Sequence, residues 1–325
     1  MSGGVTFDSD FAAATTDRYL TKTVRDQVFN NFGLLGLIES KVGVDRISGG
    51  DNILVPVQTG TNTTVDSYAG FDEFQNAPVE TINNAVFNWK GYYVSIIAQA
   101  REILRNQGPE GQINIWMHKV QNALQTLRQT LNSDAYLDGT GNAGKDILGL
   151  ALLIDNAGTM GGIARSSNSF WQSIETASGG SLSIDGDNGM LRALHDASPG
   201  GPAPGGGAFI DNWLTTHEVV ERYHRLLTPG IRFNDLGRGD SVFGELAFKG
   251  APLSWDHACT AGVMFGIASS TFKYYVHPAR DFLNTKIAKA EDATADQDAW
   301  SQRILLWNEL ICIEPRRNVK ITGIT

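Results

Sequence analysis

Residues 47–97 constrain this chain most, because the stretch is strand-forming at both ends and nearly coreless between them. Ser48-Gly49-Gly50-Asp51 is a turn signal. After it Ile53, Val55 and Val57 alternate with other residues at the period of a strand. The string GTNTTVDSYAGFDEFQNAPVE follows, polar, dotted with glycine and poor in core residues. Ala85, Phe87 and Trp89 then alternate, and the run continues through Tyr92-Tyr93-Val94-Ser95-Ile96-Ile97. The spacing predicts a long two-stranded hairpin over 47–97 with a loosely held tip. An isolated ribbon of two strands is marginally stable in water, and its free edges invite pairing with another chain. Such a ribbon needs a second surface to rest on. Tyr68, Phe71 and Phe74 fall in the tip. They can build a small local core beneath the loop or anchor a partner surface. Exposed aromatic patches mark contacts, which makes these three the expected subunit-interface residues.

The other regular segments are more ordinary. Residues 1–16 have no periodicity and read as a loose arm. From Asp17, a possible cap, Leu20, Val24, Val28 and Phe32 recur every four residues, and Gly33 and Gly36 then loosen or end the helix. A single apolar stripe on a short terminal helix also needs a surface, its own body or a neighbouring copy, so Leu20, Val24 and Val28 are expected to dock the arm. The clearest helix is 109–137. Pro109 suits its first turn, and Ile113, Met117, Val120, Leu124, Leu127 and Leu131 form one seam on a polar rod. At ~1.5 Å per residue this rod would be roughly 40 Å long.

Ile147–Ile154 reads as a buried strand, and 156–207 as a long loop rich in Gly, Ser and Asn. A strand at Ala208–Ile210 precedes Thr215-Thr216, which can cap a helix through Val219, Tyr223 and Leu226-Leu227 to Pro229-Gly230. Strand-like pieces follow at Glu245–Phe248, Pro252–Trp255, Val263–Ala268, Phe272–Val276 and Arg303–Ile313. The class is α+β.

Composition removes several function classes. With 325 residues and 42% hydrophobic content the chain can bury a real core, in about two folding units at roughly 100–200 residues each. A net charge of −9 argues against wrapping nucleic acid, which needs clustered Lys and Arg. An acidic wall could still enclose a packed duplex. Cys259 and Cys312 sit in apolar runs without a Cys-x-x-Cys spacing, so they read as buried free thiols. The N-terminus lacks the cationic start and apolar core of a signal peptide. No apolar run approaches the ~18 residues of a membrane helix. Synthesis in a cytoplasm is expected.

Four motifs approach catalytic or metal patterns and fall short. GTGNAGKD at 139–146 satisfies both Gly-x-Gly-x-x-Gly and Gly-x-x-x-x-Gly-Lys, yet Asp146 stands where a phosphate loop needs Ser or Thr. It also follows a helix rather than a strand. A soluble nucleotide-binding enzyme using Gly139–Lys145 remains the alternative reading. In HEVVERYH the histidines 217 and 224 are seven apart, ~10.5 Å along a helix, too far for one zinc ion. IDGDNG at 184–189 lacks the third acid and the distant Glu of a calcium loop. Ser254, Asp256 and His257 lack a nucleophile-elbow context. No catalytic residue, metal site or cofactor is expected.

Loose arm, short helix, long hairpin, strut helix and α+β body, in that order, resemble the HK97-like fold of tailed-bacteriophage major capsid proteins. The strings that carry the resemblance are GGDNILVPV at 49–57, TINNAVFNWKGYYVSI at 81–96, Leu-Asp-Gly-Thr-Gly-Asn at 137–142, FKGAPLSWDHAC at 248–259, VHPARDF at 276–282 and ILLWNELICIEPRRNVKITGI at 304–324. The resemblance implies an N-terminal arm at 1–46 and an extended loop at 47–97 lying over a neighbouring subunit. It implies a peripheral domain at 98–144 plus 301–325 with its spine helix at 109–137, and a mostly axial domain at 145–300. It further implies hexamers and pentamers closing an icosahedral or prolate virion shell around double-stranded DNA, assembled in the host bacterial cytoplasm. Portal and scaffolding proteins would be partners, and decoration proteins could be. No long helical scaffolding segment precedes the arm, which leaves a separate scaffold or a removed segment open. Some relatives cross-link Lys to Asn, and nothing here locates a reactive pair for Lys90.

Overall fold

A computed structural model describes residues 32–74, 78–99, 101, 115–198, 210–234, 246–286, 288–289 and 299–325. Two sheets organise these residues. The first is built on β15 (Ala299–Cys312), the longest strand. On one side β15 pairs antiparallel with β12 (Phe272–Val276), β13 (Leu283–Asn284) and β14 (Ala288–Lys289). Ten residue pairs, from Ala299↔Gln99 to Asn308↔Lys90, join it to β4 (Lys90–Gln99). β1 (Val44–Arg46) lies parallel to β12. The second sheet runs β7 (Ile174–Gly180), β16 (Val319–Ile324), β11 (Met264–Ile267), β8 (Asn212–Thr215), β10 (Ala251–Trp255), β9 (Ala247–Phe248).

The period-two pattern of β4 explains its placement. Ile96 and Ala98 are buried while Tyr93, Ser95 and Ile97 are exposed, so one face meets the core. That core face receives α2 (Ile115–Asp134), whose Ala123, Leu127 and Leu131 recur every four residues and are buried. The twenty described residues of α2 span about 30 Å and end at Asp134 rather than 137; 109–114 lie outside the described residues. Met117, expected in the seam, is exposed, and Ala123 supplies the stripe instead.

Several expectations are corrected. The hairpin is shorter than 47–97: β2 (Asn52–Gln58) pairs with β3 (Ile82–Asn88), and after Trp89 the chain leaves the ribbon for β15. Tyr92–Ile97 alternates like the ribbon strands, but its apolar face has a larger surface to cover in the sheet. Ile147–Ile154 is no strand. Leu150–Leu153 form a helical turn, α3, buried as expected; short apolar runs do not distinguish buried strand from buried helix. Gly149 precedes it because a Cβ there would collide with the carbonyl oxygens of Leu137 and Asp134. The expected loop 156–207 carries β5 (Thr159–Met160), β6 (Ile163–Ala164), β7 and α4 (Met190–Asp196). The strand expected at Ala208–Ile210 is β8, a few residues later, and α5 (His217–Asn234) follows it, but neither threonine hydroxyl caps that helix: Thr215 Oγ1 donates to Val263 O at 2.8 Å and Thr216 Oγ1 finds no partner among the described residues. The helix expected from Asp17 lies outside the described residues, apart from Phe32, which is extended just ahead of Gly33 and Gly36. The two glycines lie inside α1 (Gly33–Leu37), which buries Leu34 and Leu37 and continues as a wider turn to Val42.

The sheets also cut across the expected domain ranges. β12, β13 and β14 fall in 145–300 yet belong to the first sheet, and β16 of the C-terminal segment sits inside the second. The apolar core forms two clusters, and the larger one also takes in Leu214, Phe265 and Ile267 of the second sheet.

Candidate assembly interface

The hairpin has a seated base and an unseated tip. At the base Ile53 and Val55 of β2 and Ala85 and Phe87 of β3 are buried against the body. Their platform is the turn between β5 and β6, where Val86 N–H donates to Gly161 O at 2.9 Å. Gly161 has φ +60°, and a Cβ there would lie 2.9 Å from both the Ala85 methyl and the Phe87 ring, so only glycine lets the ribbon come this close. Arg165 holds the platform rigid. Its buried guanidinium donates to the carbonyls of Trp171, Ala157 and Leu153 at 3.1–3.2 Å. Burial lowers its pKa from the ordinary value. The expectation of a ribbon unsupported by its own body is therefore corrected for the base.

Val57 of β2 still packs against the body, and no described residue buries the opposite face of the ribbon. Leu54, Ile82 and Val86 on its outer face are exposed. Local side-chain turns hold the tip, with Thr64 N–H donating to Asn62 Oδ1 at 2.9 Å and Ala69 N–H to Asp72 Oδ2 at 2.8 Å. Tyr68 and Phe74 meet edge to face with ring centroids 5.2 Å apart. This contact hides little: Tyr68, Phe71 and Phe74 remain 69%, 105% and 67% exposed. Leu20, Val24 and Val28 lie outside the described residues.

The other motifs are absorbed into the framework. In the glycine-rich turn Asn142 and Ala143 have positive φ and Lys145 is exposed. A phosphate cradle would need free N–H groups. Within this turn Thr140 N–H donates to Asp138 Oδ1 at 3.0 Å and Gly144 N–H to Thr140 O at 3.1 Å; just after it Ile147 N–H donates to Tyr92 Oη at 2.9 Å and Leu148 N–H to Glu309 Oε1 at 3.0 Å, while Lys90 Nζ donates to Gly144 O. Strands β4 and β15 thus clamp the turn. Tyr92 Oη donates onward to Asp134 Oδ2 at 2.9 Å, and burial raises the pKa of both groups. Burial also pushes Glu309 up to about 8. His217 packs edge-on to Trp255, and no metal-holding group of three His, Cys, Asp or Glu exists among the described residues. Residues 184–189 form a turn into α4.

Asp256 is a hub that sequence reasoning missed. It is buried, and Oδ2 accepts from Leu34 N–H at 3.2 Å, Asn132 Nδ2 at 2.9 Å and Tyr136 Oη at 3.1 Å. Oδ1 accepts from Ala258 N–H at 2.9 Å. Four donors consume the carboxylate while His257 faces solvent. Asp256 thus fastens α1 and the end of α2 to the second sheet.

No protein-family model and no curated protein sequence matches this chain. Solved structures do. A chain of the cyanophage A-1(L) capsid asymmetric unit is similar with TM-score 0.75 at 17% identity, covering 98% of this chain and 100% of that one. A chain from the capsid of an empty GTA particle gives TM-score 0.60 at 10% identity over 100% of both. The holo-SrpI encapsulin complex from Synechococcus elongatus gives 0.59 at 10% identity, over 98% of this chain and 96% of that one. The fold is the HK97-like α+β architecture, and the likeness runs the length of the chain.

Proposed function

We propose that this chain is the major capsid protein of a tailed bacteriophage, a building block that tiles with copies of itself into hexamers and pentamers. The fold it shares end to end with capsid chains supports this reading. The single observation that carries it is the contrast within the hairpin: a base locked on its own body and an aromatic tip offered to solvent. Large exposed aromatic clusters mark contact surfaces. The rival nucleotide-binding reading has no support, since the turn it needs is spanned by Tyr92, Glu309 and Lys90.

The mechanism is geometric. Identical subunits closing a shell must tolerate several slightly different contact angles. A rigid body with a tethered, anchored extension meets that need, because the extension bends while its apolar anchors stay seated. Tyr68, Phe71 and Phe74 anchor between subunits, and Leu20, Val24 and Val28 dock the arm. The residues ahead of α1 act as the arm, and the ribbon β2–β3 with its tip acts as the extended loop. The first sheet with α2 forms most of the peripheral part, and the second sheet most of the axial part. Many weak contacts summed over the shell give a strength no single interface has. Double-stranded DNA is enclosed without sequence-specific binding. Portal and scaffolding proteins complete assembly, and the finished location is the virion. Electron microscopy of the purified protein tests this reading. Hollow polyhedral particles are expected, and a uniformly monomeric protein refutes it.

A further inference from the structure

We propose that segment 139–148, the glycine-rich turn and its exit, is held on the first sheet by a proton-operated latch: protonated Glu309 keeps it seated, and ionised Glu309 frees it by drawing Lys90 off the turn. The latch belongs to the subunit's own fold and is independent of the shell reading. Glu309 of β15 is completely buried. Its Oε1 accepts from Leu148 N–H at 3.0 Å and Leu310 N–H at 3.1 Å, while Oε2 finds no partner among the described residues. In such a site a neutral acid leaves one unmet hydroxyl, whereas a carboxylate leaves an uncompensated charge, which costs far more. The geometry therefore favours the protonated form. Burial raises Glu309 to about 8, against the pull of the Leu148 and Leu310 amides and the Lys90 ammonium.

Lys90 gives the site two states. Among the described residues it is the only cation acting on Glu309, and its Nζ donates to Gly144 O of the turn. One ammonium thus has two competing acceptors, a neutral carbonyl while Glu309 holds its proton and a carboxylate once it does not. The charged acceptor wins, because a hydrogen bond between ions is roughly twice as strong as a neutral one. The turn then loses its tether at Gly144. Ala143 holds φ +58°, so the turn carries strain that its tethers hold in. Asn142, Ala143 and Lys145 already face solvent, which leaves this edge free to lift. The other titratable groups around the site are Tyr274 and Tyr275 of β12, with Glu39 and Asp281 beside Tyr274, and Tyr92 of β4, with Asp134 and Asp146 across the turn. The acids among them oppose a further negative charge, so Lys90 is the group that can answer it.

Hydrogen exchange on the full-length chain tests the latch. The amides of Ile147 and Leu148 are followed from about pH 6 to about pH 9, each rate corrected for the intrinsic pH dependence of exchange. Glu309 titrates at its ordinary 4.5 in the open turn and at about 8 in the closed one, so wild-type protection should fall about fiftyfold from pH 6 to pH 8 and change less than about twofold from pH 8 to pH 9. Glu309→Gln copies the neutral acid and should hold protection within about threefold over the whole range. Any slope left in that variant belongs to Asp134, whose pKa burial also raises. Lys90→Met leaves the ionised carboxylate without a counter-charge, so its protection should go on falling from pH 8 to pH 9, by about fivefold. The amides of β16 report global opening and should not follow. Flat wild-type protection, an equal slope in Glu309→Gln or a parallel fall in β16 overturns the latch. A Lys90→Met profile that levels off where the wild type does overturns the part given to Lys90.

Discussion

Replacing Asp256 by leucine removes one carboxylate and strands four donors. Two of them, the Asn132 amide and the Tyr136 hydroxyl, belong to buried side chains, and the Leu34 N–H sits at a buried helix start. An unsatisfied buried donor costs about 1–3 kcal/mol, so these three alone imply about 3–9 kcal/mol. Relief of the carboxylate's own desolvation and partial collapse around leucine offset some of this, leaving about 4 kcal/mol as the expected loss. Asp256→Asn keeps the shape and one acceptor oxygen, so about half that loss is expected. Equilibrium urea unfolding followed by circular dichroism reads both, with His257→Ala as the exposed neighbour expected within about 0.5 kcal/mol of wild type. If Asp256→Leu costs less than about 1 kcal/mol, or His257→Ala costs as much, the hub account is wrong.

Deleting residues 61–76 should leave soluble, folded protein that cannot close shells, read by circular dichroism and electron microscopy; normal particles would refute the role given to the tip. Gly161→Ala should destabilise by about 1–3 kcal/mol, because the new methyl meets Ala85 and Phe87 at a left-handed backbone, and a neutral outcome in thermal unfolding would remove the platform argument. Glu309 titrates in the fold at about 8, above its ordinary 4.5, so the folded state holds its proton more tightly than the unfolded one. Its contribution is complete below the unfolded value and is lost as pH rises through about 8, and Glu309→Gln should flatten that part of a stability–pH profile. Lys145→Ala should leave assembly unchanged; a loss of nucleotide binding in that variant would revive the enzyme reading.

Much of the architecture was legible where pattern and burial agree. Ile53, Val55, Ala85 and Phe87 announced a ribbon, and the same residues seat it. Leu127 and Leu131 marked the strut. Where the ribbon ends was illegible, because Tyr92–Ile97 has the same alternation and only its distant partner β15 tells the two apart. The buried run near Leu150 gave its burial but not its conformation. Segment 156–207 looked like a loop because its strands are short and one, β7, is rich in small residues. The hub at Asp256 was hard to see from sequence, for three of its four donors come from positions more than a hundred residues away. The tip aromatics were singled out from sequence and stand exposed.

The order in which the strands enter the sheets sets when the subunit becomes ready. β15 is the strand on which the first sheet is laid, and β16 lies between β7 and β11 in the second. Each follows the other strands of its sheet in chain order, so neither layer can close until residues 299–324 have been made. A truncated translation product would expose two half-built cores at once and go to proteases before reaching a growing lattice.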